Sequence, residues 1–532
     1  MKGGLVTTTT PVMPAAQAAD VAAGHDIRRY VVFAICACIY ILPFMRLLVV
    51  GTDEGILDYG ALRVFRGQVF ARDFFEVIGP GTFYWLAGFY KLFGVSFFTT
   101  RICLFITSFG TAFLMYFLSR RICGKYQALP CVLLAGTCFG GLWPAMSHHD
   151  DSNFFALLAV ASIALWQEKG TKALLVAGGV LSGATTAFLQ PKGMLLAVAI
   201  CLFVYVQTRR RSSMITSLGL VVGGYASVVG LVLFYFWSKN ALGDLVYVDA
   251  TWPLKHYGTV NAVPYAHAIL FNYWDHWVSV RDKFPWIVPV AVVMFIPLLY
   301  VAALPALLPL IGARFRWHLL NPQIQLLWLA GLAIWASELH RTDMAHLVFG
   351  SPLLMILSIH FLTSYTGRWA EGVLQVIVVS SVCLAGFNLL ILSAAHKVET
   401  RMGTVRILPN TEALEFVIRN VKPGEEIFSY PYAPSFYFLA DAVNPTQFSI
   451  MTYNFNTTDQ FQEVIRTLDR DKVKFVVWDV AFEQMEQMVF LSGFPPADQQ
   501  IIEPYLESHY DVIKVADGKR IMQRKAHIDE HQ

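Results

Sequence analysis

Charge is scarce in this sequence. Only 14% of its 532 residues are Asp, Glu, Lys or Arg, against about 25% in an average soluble protein. That shortage excludes an ordinary water-soluble enzyme. A net charge of +3 is too small to attract nucleic acid, so no such partner is expected. Cysteine offers no scaffold either: there are eight, none after Cys383, so the last part of the chain must fold without disulfides. Short-period repeats are missing, and low complexity is confined to the Thr/Ala-rich Met1–Asp26 stretch.

What the chain has in excess is apolar surface: 56% of residues are hydrophobic and 14% aromatic. A hydrocarbon core about 30 Å thick takes roughly 20 apolar residues per helical span. Apolar runs fall at Tyr30–Val50, Phe97–Leu118, Ala128–Pro144, Phe154–Trp166, Ala173–Leu189 and Met194–Val206. Five more follow at Met214–Trp237, Trp286–Ile311, Ile324–Ala336, Ala345–Leu362 and Gly372–Ala394. The expected fold class is therefore an α-helical polytopic membrane protein with about eleven spans.

Loop charge sets the orientation. Alternate connections carry Arg28-Arg29, Arg120-Arg121 with Lys125, Lys169 with Lys172, Arg209-Arg210-Arg211, Arg314 with Arg316, and Arg368. The positive-inside rule places these in the cytoplasm. Residues 1–29 then read as a flexible cytoplasmic tail and not a cleaved signal, and the protein as a multi-pass protein of the cytoplasmic (inner) membrane. The remaining loops are outside, as is everything after about Ala395. Residues 30–395 form the membrane domain. Residues 396–532 are more charged, with helical and strand patterns at Thr411–Asn420, Glu426–Ser429, Thr458–Leu468 and Val473–Val480, and read as a small extracytoplasmic α/β domain. Within the first outer loop, Ile56–Phe65 and Thr82–Phe93 read as helices lying in the membrane interface. The Trp- and Tyr-rich Ser238–Pro285 loop suits the headgroup level.

The outer loops gather the ionisable residues. Asp53-Glu54 directly follows a span, where a carboxylate is costly unless wetted, paired or used. It either caps the next helix, with Thr52 or Asp53 as the cap, or serves as a general base at the bilayer surface. Arg72-Asp73 is a plain salt bridge or an organiser of that loop. His148-His149-Asp150-Asp151 offers groups for a divalent cation, although adjacent side chains point apart, so the run alone is no ligand motif. Lys192 either snorkels or binds a lipid phosphate. The stretch Glu338-Leu339-His340-Arg341-Thr342-Asp343-Met344-Ala345-His346 sets an arginine fork among histidines, suited to phosphate unless Arg341 pairs with Asp343 or Glu338. Each signal is weak alone. Their shared side of the membrane points to sugar transfer from a phosphate-linked lipid.

These residues resemble a family. Asp53-Glu54 after the first span, Arg72-Asp73-Phe74, Gly79-Pro80-Gly81 with Tyr84, and Leu92-Phe93-Gly94 with Arg101 are similar to the first periplasmic loop of GT-C glycosyltransferases, in particular the protein O-mannosyltransferase and aminoarabinose transferase branches. His340-Arg341, Asp343 and His346 with Pro352 resemble a later loop of related bacterial members. The resemblance implies a GT-C-like fold and an inverting, polyprenyl-monophosphate-dependent transferase acting on a lipid, glycan or protein acceptor. It implies Asp53 as base with Glu54 beside it, and Lys192, Arg341, His340 and His346 at the donor phosphate. Asp73, Arg72, Asp150, Asp151 and Asp343 would organise the site. A divalent cation is possible in this family, with His148, His149 and Asp150 as candidate ligands here. A lipid transporter or flippase is the alternative, but it would place its charges near the midplane of paired, broken helices.

Overall fold

A computed structural model describes residues 15–48, 53–138, 145–257, 263–266, 287–314, 321–364, 368–407, 411–480, 482 and 495–526. Thr52, the end of the Ala128–Pro144 run and half of the Trp/Tyr-rich loop before Pro285 lie outside the described residues.

The described chain is mostly helical. Five helices are each long and apolar enough to cross a membrane: Ile27–Arg46, Phe97–Ser119, Gln190–Thr208, Met214–Ser238 and Trp369–Leu390. A sixth span results if Met344–Gly350 and Pro352–Ser364 count together, but they are bent by 71°. Ala345–Leu362, read as one straight span, is therefore two segments. Ser351 ends the first helix and Pro352, lacking an amide hydrogen, starts the next. Ala173–Phe188, Val293–Leu308 and Pro322–Ala336 are apolar but shorter.

Without a hydrophobic drive inside lipid, helix contacts depend on close approach of small residues. Ala173–Phe188 and Met214–Ser238 meet in this way. A Cβ at Gly179 would stand 2.1 Å from the Val221 carbonyl oxygen, and one at Gly224 2.5 Å from that of Val176.

The first outer loop folds into two helices, Glu54–Phe65 and Pro80–Phe93. Ile56–Phe65 reads in the sequence as a helix lying in the membrane interface. It is instead buried from Glu54 through Arg63, because the C-terminal region packs on its far side. The apolar residues of both helices share one core with Phe428, Tyr437, Phe438 and Val476.

The C-terminal region contains two small sheets. In one, Ile427–Tyr430 pairs parallel with Phe475–Asp479, followed by antiparallel Lys519–Arg524 and Tyr510–Ala516. In the other, the hairpin His396–Thr400 with Gly403–Ile407 takes Leu47–Leu48 as a third, parallel strand. The chain leaving the first membrane helix is thus stitched to the hairpin that follows the last one. A capping box, Thr457 with Gln460, starts the amphipathic helix Thr458–Arg470.

Gly55 is where the two parts press together. A Cβ there would lie 2.4 Å from Ser435 Oγ and 2.5 Å from the Ser435 backbone nitrogen. We expect Gly55→Ala to lower stability by about 1–3 kcal/mol, the usual cost of overpacking. The readout is faster protease cleavage around Ser435–Leu439; unchanged cleavage would refute the contact.

Candidate functional site

Asp53 stands at the N-terminal boundary of Glu54–Phe65, yet its carboxylate makes no capping bond. Only its backbone takes part, its carbonyl accepting from Leu57 N at 3.1 Å. The carboxylate instead accepts a hydrogen bond from the Tyr432 hydroxyl at 2.7 Å. Burial, and then the Asp53 charge, push that phenol well above its usual pKa, so it stays a donor. Glu76 and Arg341 are the other charged groups that act on the same hydroxyl. Glu76 itself is buried, which pushes its carboxyl up to about 8, against the opposing pull of Ser449 and Arg63. Around Asp53, then, sit a phenol and a buried acid whose carboxyl is pushed up.

Glu54 has a different fate from its neighbour. Its carboxylate takes both ends of the Arg101 guanidinium, at 2.7 and 2.9 Å, and also accepts from Met146 N at 3.0 Å. Arg101 further donates to the Leu47 carbonyl and lies 4.3 Å from the Phe97 ring centroid. Both partners are fully buried. Both Glu54 oxygens are thus engaged, by Arg101 and by Met146 N, in contrast to those of Asp53. Asp58 joins this core, accepting from Thr100 Oγ1 at 2.7 Å.

Arg72 and Asp73 form the bland pair, Nε to Oδ1 at 2.8 Å, at the protein surface. Asp73 also accepts from Val69 N, and Arg72 donates to the Lys239 carbonyl. They close their loop and do not join Asp53.

The second cluster collects residues from the starts of the helices His148–Lys169 and Gln190–Thr208 and from residues 337–346. Lys192 is completely buried, with Nζ 2.9 Å from Glu338, 2.8 Å from Asn153 Oδ1 and 3.0 Å from Ser152 Oγ. The three ammonium hydrogens of Lys192 thus have three partners within the protein. Burial opposes ionisation of Glu338, but His149 and Lys192 hold its carboxyl well below the usual range. His149 Nδ1 lies 3.2 Å from Glu338, and its ring stacks on Phe349 with centroids 4.8 Å apart. Asp343 caps Met344–Gly350 through His346 N and also bonds His346 Nδ1 at 2.8 Å and Arg341 Nε at 2.6 Å. It is thereby held below the normal carboxylate range despite its burial. The internal Arg341–Asp343 pair that was the alternative to phosphate binding exists, and it engages the guanidinium through Nε. His340 Nδ1 contacts the Ser337 carbonyl at 2.9 Å.

Asp150 and Asp151 lie buried in the first turn of His148–Lys169, where the helix dipole favours acids. The charged neighbour of Asp150 is Lys192, whereas Asp151 lies against Thr82. Among the described residues, one trio places ligand atoms within 4.8 Å of one another: His149, Glu338 and His346. Of the candidate set His148, His149 and Asp150, only His149 belongs to this trio, since consecutive side chains on a helix diverge. Two imidazoles and a carboxylate, with Asp343 orienting His346, fit a zinc-class cation. Such an ion would share Glu338 with Lys192.

Tyr432 and Glu76 were not singled out in the sequence. Neither lies in a motif, and only folding brings them to Asp53.

Two crystal structures of ArnT from Cupriavidus metallidurans are similar to this chain. One, bound to undecaprenyl phosphate, matches with 13% identity and a TM-score of 0.56. The other, in the apo state, matches with 12% identity and a TM-score of 0.53. Each alignment covers 95% of this chain and 99% of the other. This chain has their fold. ArnT is a GT-C glycosyltransferase, and the likeness to it is one of fold, over 95% of this chain. No protein-family model matches the sequence, and no curated protein matches it.

Proposed function

We propose that this protein is an inverting glycosyltransferase that moves a sugar from a polyprenyl monophosphate to a lipid, glycan or protein acceptor. Its setting is the outer face of the cytoplasmic membrane, with the N-terminus cytoplasmic and residues 396–532 outside as a domain over the site. The observation that carries this reading is the Asp53 carboxylate, which does not cap its helix and pairs with no base among the described residues, but accepts from Tyr432, whose hydroxyl also feels the Arg341 charge. The shared fold supports it, as does the undecaprenyl phosphate bound by the ArnT relative.

In this mechanism Asp53 takes the proton of the acceptor hydroxyl as its oxygen attacks the anomeric carbon. The bond from that carbon to the phosphate oxygen breaks, and its electron pair leaves with the phosphate. Attack from the opposite face inverts the configuration. The Tyr432 hydrogen bond holds one Asp53 oxygen and leaves the other for the proton. Arg341, aimed by Asp343, stabilises the departing monophosphate, flanked by His340 and His346. Lys192 acts at one remove, fixing Glu338 and so His149. A cation on His149, Glu338 and His346 would add positive charge beside the leaving phosphate.

The deciding experiment is mass spectrometry of membrane lipids and glycans from a strain lacking the protein. We expect a polyprenyl monophosphate sugar to accumulate and one glycan, lipid or protein to lose a single sugar. An unchanged glycan profile with redistributed lipid would favour transport instead. Hydrogen bonds to a charged group contribute about 1.5–3 kcal/mol, so Arg341→Ala is expected to lower kcat/KM for the donor by about 10- to 150-fold. An unaltered donor kcat/KM would remove Arg341 from the site.

A further inference from the structure

The helix Ala15–Ile41 stands at the edge of the bundle, with only 11% of its apolar stretch buried. Between it and the helices Phe97–Ser119, Leu129–Thr137 and Arg368–Ile391 runs a groove of about 660 Å³. Its walls are apolar along their length. Phe33 and Tyr116 stack with ring centroids 4.2 Å apart, and the Tyr40 hydroxyl is engaged by the Ala135 carbonyl at 2.8 Å. One end differs: Arg28 and Arg29 line it, both exposed and without a carboxylate partner among the described residues. Arg120 stands at the same end, its guanidinium 4.6 Å from the Tyr30 ring centroid.

The dimensions identify the occupant. From Arg29 to Ile41 the helix rises about 18 Å at ~1.5 Å per residue. One leaflet of a hydrocarbon core about 30 Å thick is about 15 Å deep. The groove is therefore one leaflet long, apolar along its length and cationic at its mouth. Basic pockets between membrane helices on the cytoplasmic side are suited to anionic headgroups. A polyprenyl chain of many isoprene units would overrun it, and the Asp53 site lies beyond the opposite end of this helix.

We propose that this groove binds an anionic glycerophospholipid of the cytoplasmic leaflet. Its phosphate rests on Arg28 and Arg29, and one acyl chain lies against Phe33, Tyr40 and Tyr116. The site requires only the loop-charge orientation of the chain and is independent of the transferase reading.

The test uses the full chain in mild detergent, with native mass spectrometry during titration of phosphatidylglycerol or phosphatidylethanolamine. One tightly held phosphatidylglycerol per chain is expected, in clear preference to phosphatidylethanolamine. Each arginine near an anionic headgroup contributes about fivefold, so Arg28→Gln with Arg29→Gln should weaken retention about 30-fold. Cys36→Trp, at an exposed lining position, keeps the arginines but fills the slot, and should also expel the lipid. Equal retention of the two lipids, or retention unchanged in both variants, would overturn the proposal. So would displacement of phosphatidylglycerol by equimolar undecaprenyl phosphate, which would give the groove to the prenyl lipid.

Discussion

Purified Asp53→Asn is expected to fold like the wild type and to transfer sugar about 10²- to 10⁴-fold more slowly, the range that general-base catalysis supplies. The exchange is nearly isosteric. The amide oxygen still accepts from Tyr432, so the contact at 2.7 Å between the first loop and the C-terminal region survives. Helix stability is also preserved, because the Asp53 side chain takes no part in capping. What the amide lacks is a basic lone pair for the acceptor proton. Turnover with a defined polyprenyl phosphate sugar, measured beside the thermal midpoint, separates the two roles. Wild-type turnover by Asp53→Asn would end the assignment. Tyr432→Phe provides a graded control: the base remains but loses its orienting bond, so a smaller fall in kcat is expected, with little change in donor KM.

The second large effect concerns stability. Breaking one side of a buried ion pair costs about 3–5 kcal/mol, because the remaining charge stays desolvated and unpaired. Arg101→Met should do this to Glu54, and it also removes the donor to Leu47 and the cation over Phe97. We expect a sharply lowered thermal midpoint or no folded protein. Glu54→Gln is the informative companion. It strands the Arg101 charge, so the midpoint should fall, yet the molecules that remain folded should still turn over. A catalytic Glu54 would give the reverse pattern, with a normal midpoint and no activity. The pair Asp53→Asn and Glu54→Gln thus assigns opposite roles to adjacent acids, one read in rate and the other in stability.

Those two acids also show how far the sequence reaches. Consecutive carboxylates after an apolar run announce an important position, but Asp53 and Glu54 point about 100° apart once a helix begins between them. Which of them meets Arg101 depends on how the Phe97–Ser119 helix is placed, and no local pattern states that. Lys192 shows the same limit. Its place between two apolar runs fits a phosphate ligand, whereas three buried partners, two on the helix His148–Lys169 and one in a loop, engage it. The bend at Ser351 and Pro352 falls within a run whose mean hydropathy still reads as one span, and in the sequence only Gly350-Ser351-Pro352 marks it.

The sequence by itself determined that this chain is a helical membrane protein with ionisable residues gathered in a few loops, and that its end forms a small mixed α/β region. Hydropathy and loop charge are local properties, and the bilayer reads them segment by segment. The tertiary structure alone decided which ionisable groups are neutralised and which remain available. It brought Tyr432 and Glu76 to Asp53, joined Leu47–Leu48 to the hairpin after the last helix, and closed Lys192 onto Glu338. The reason is physical: a buried charge must be paired, and its partner is chosen by packing across hundreds of residues.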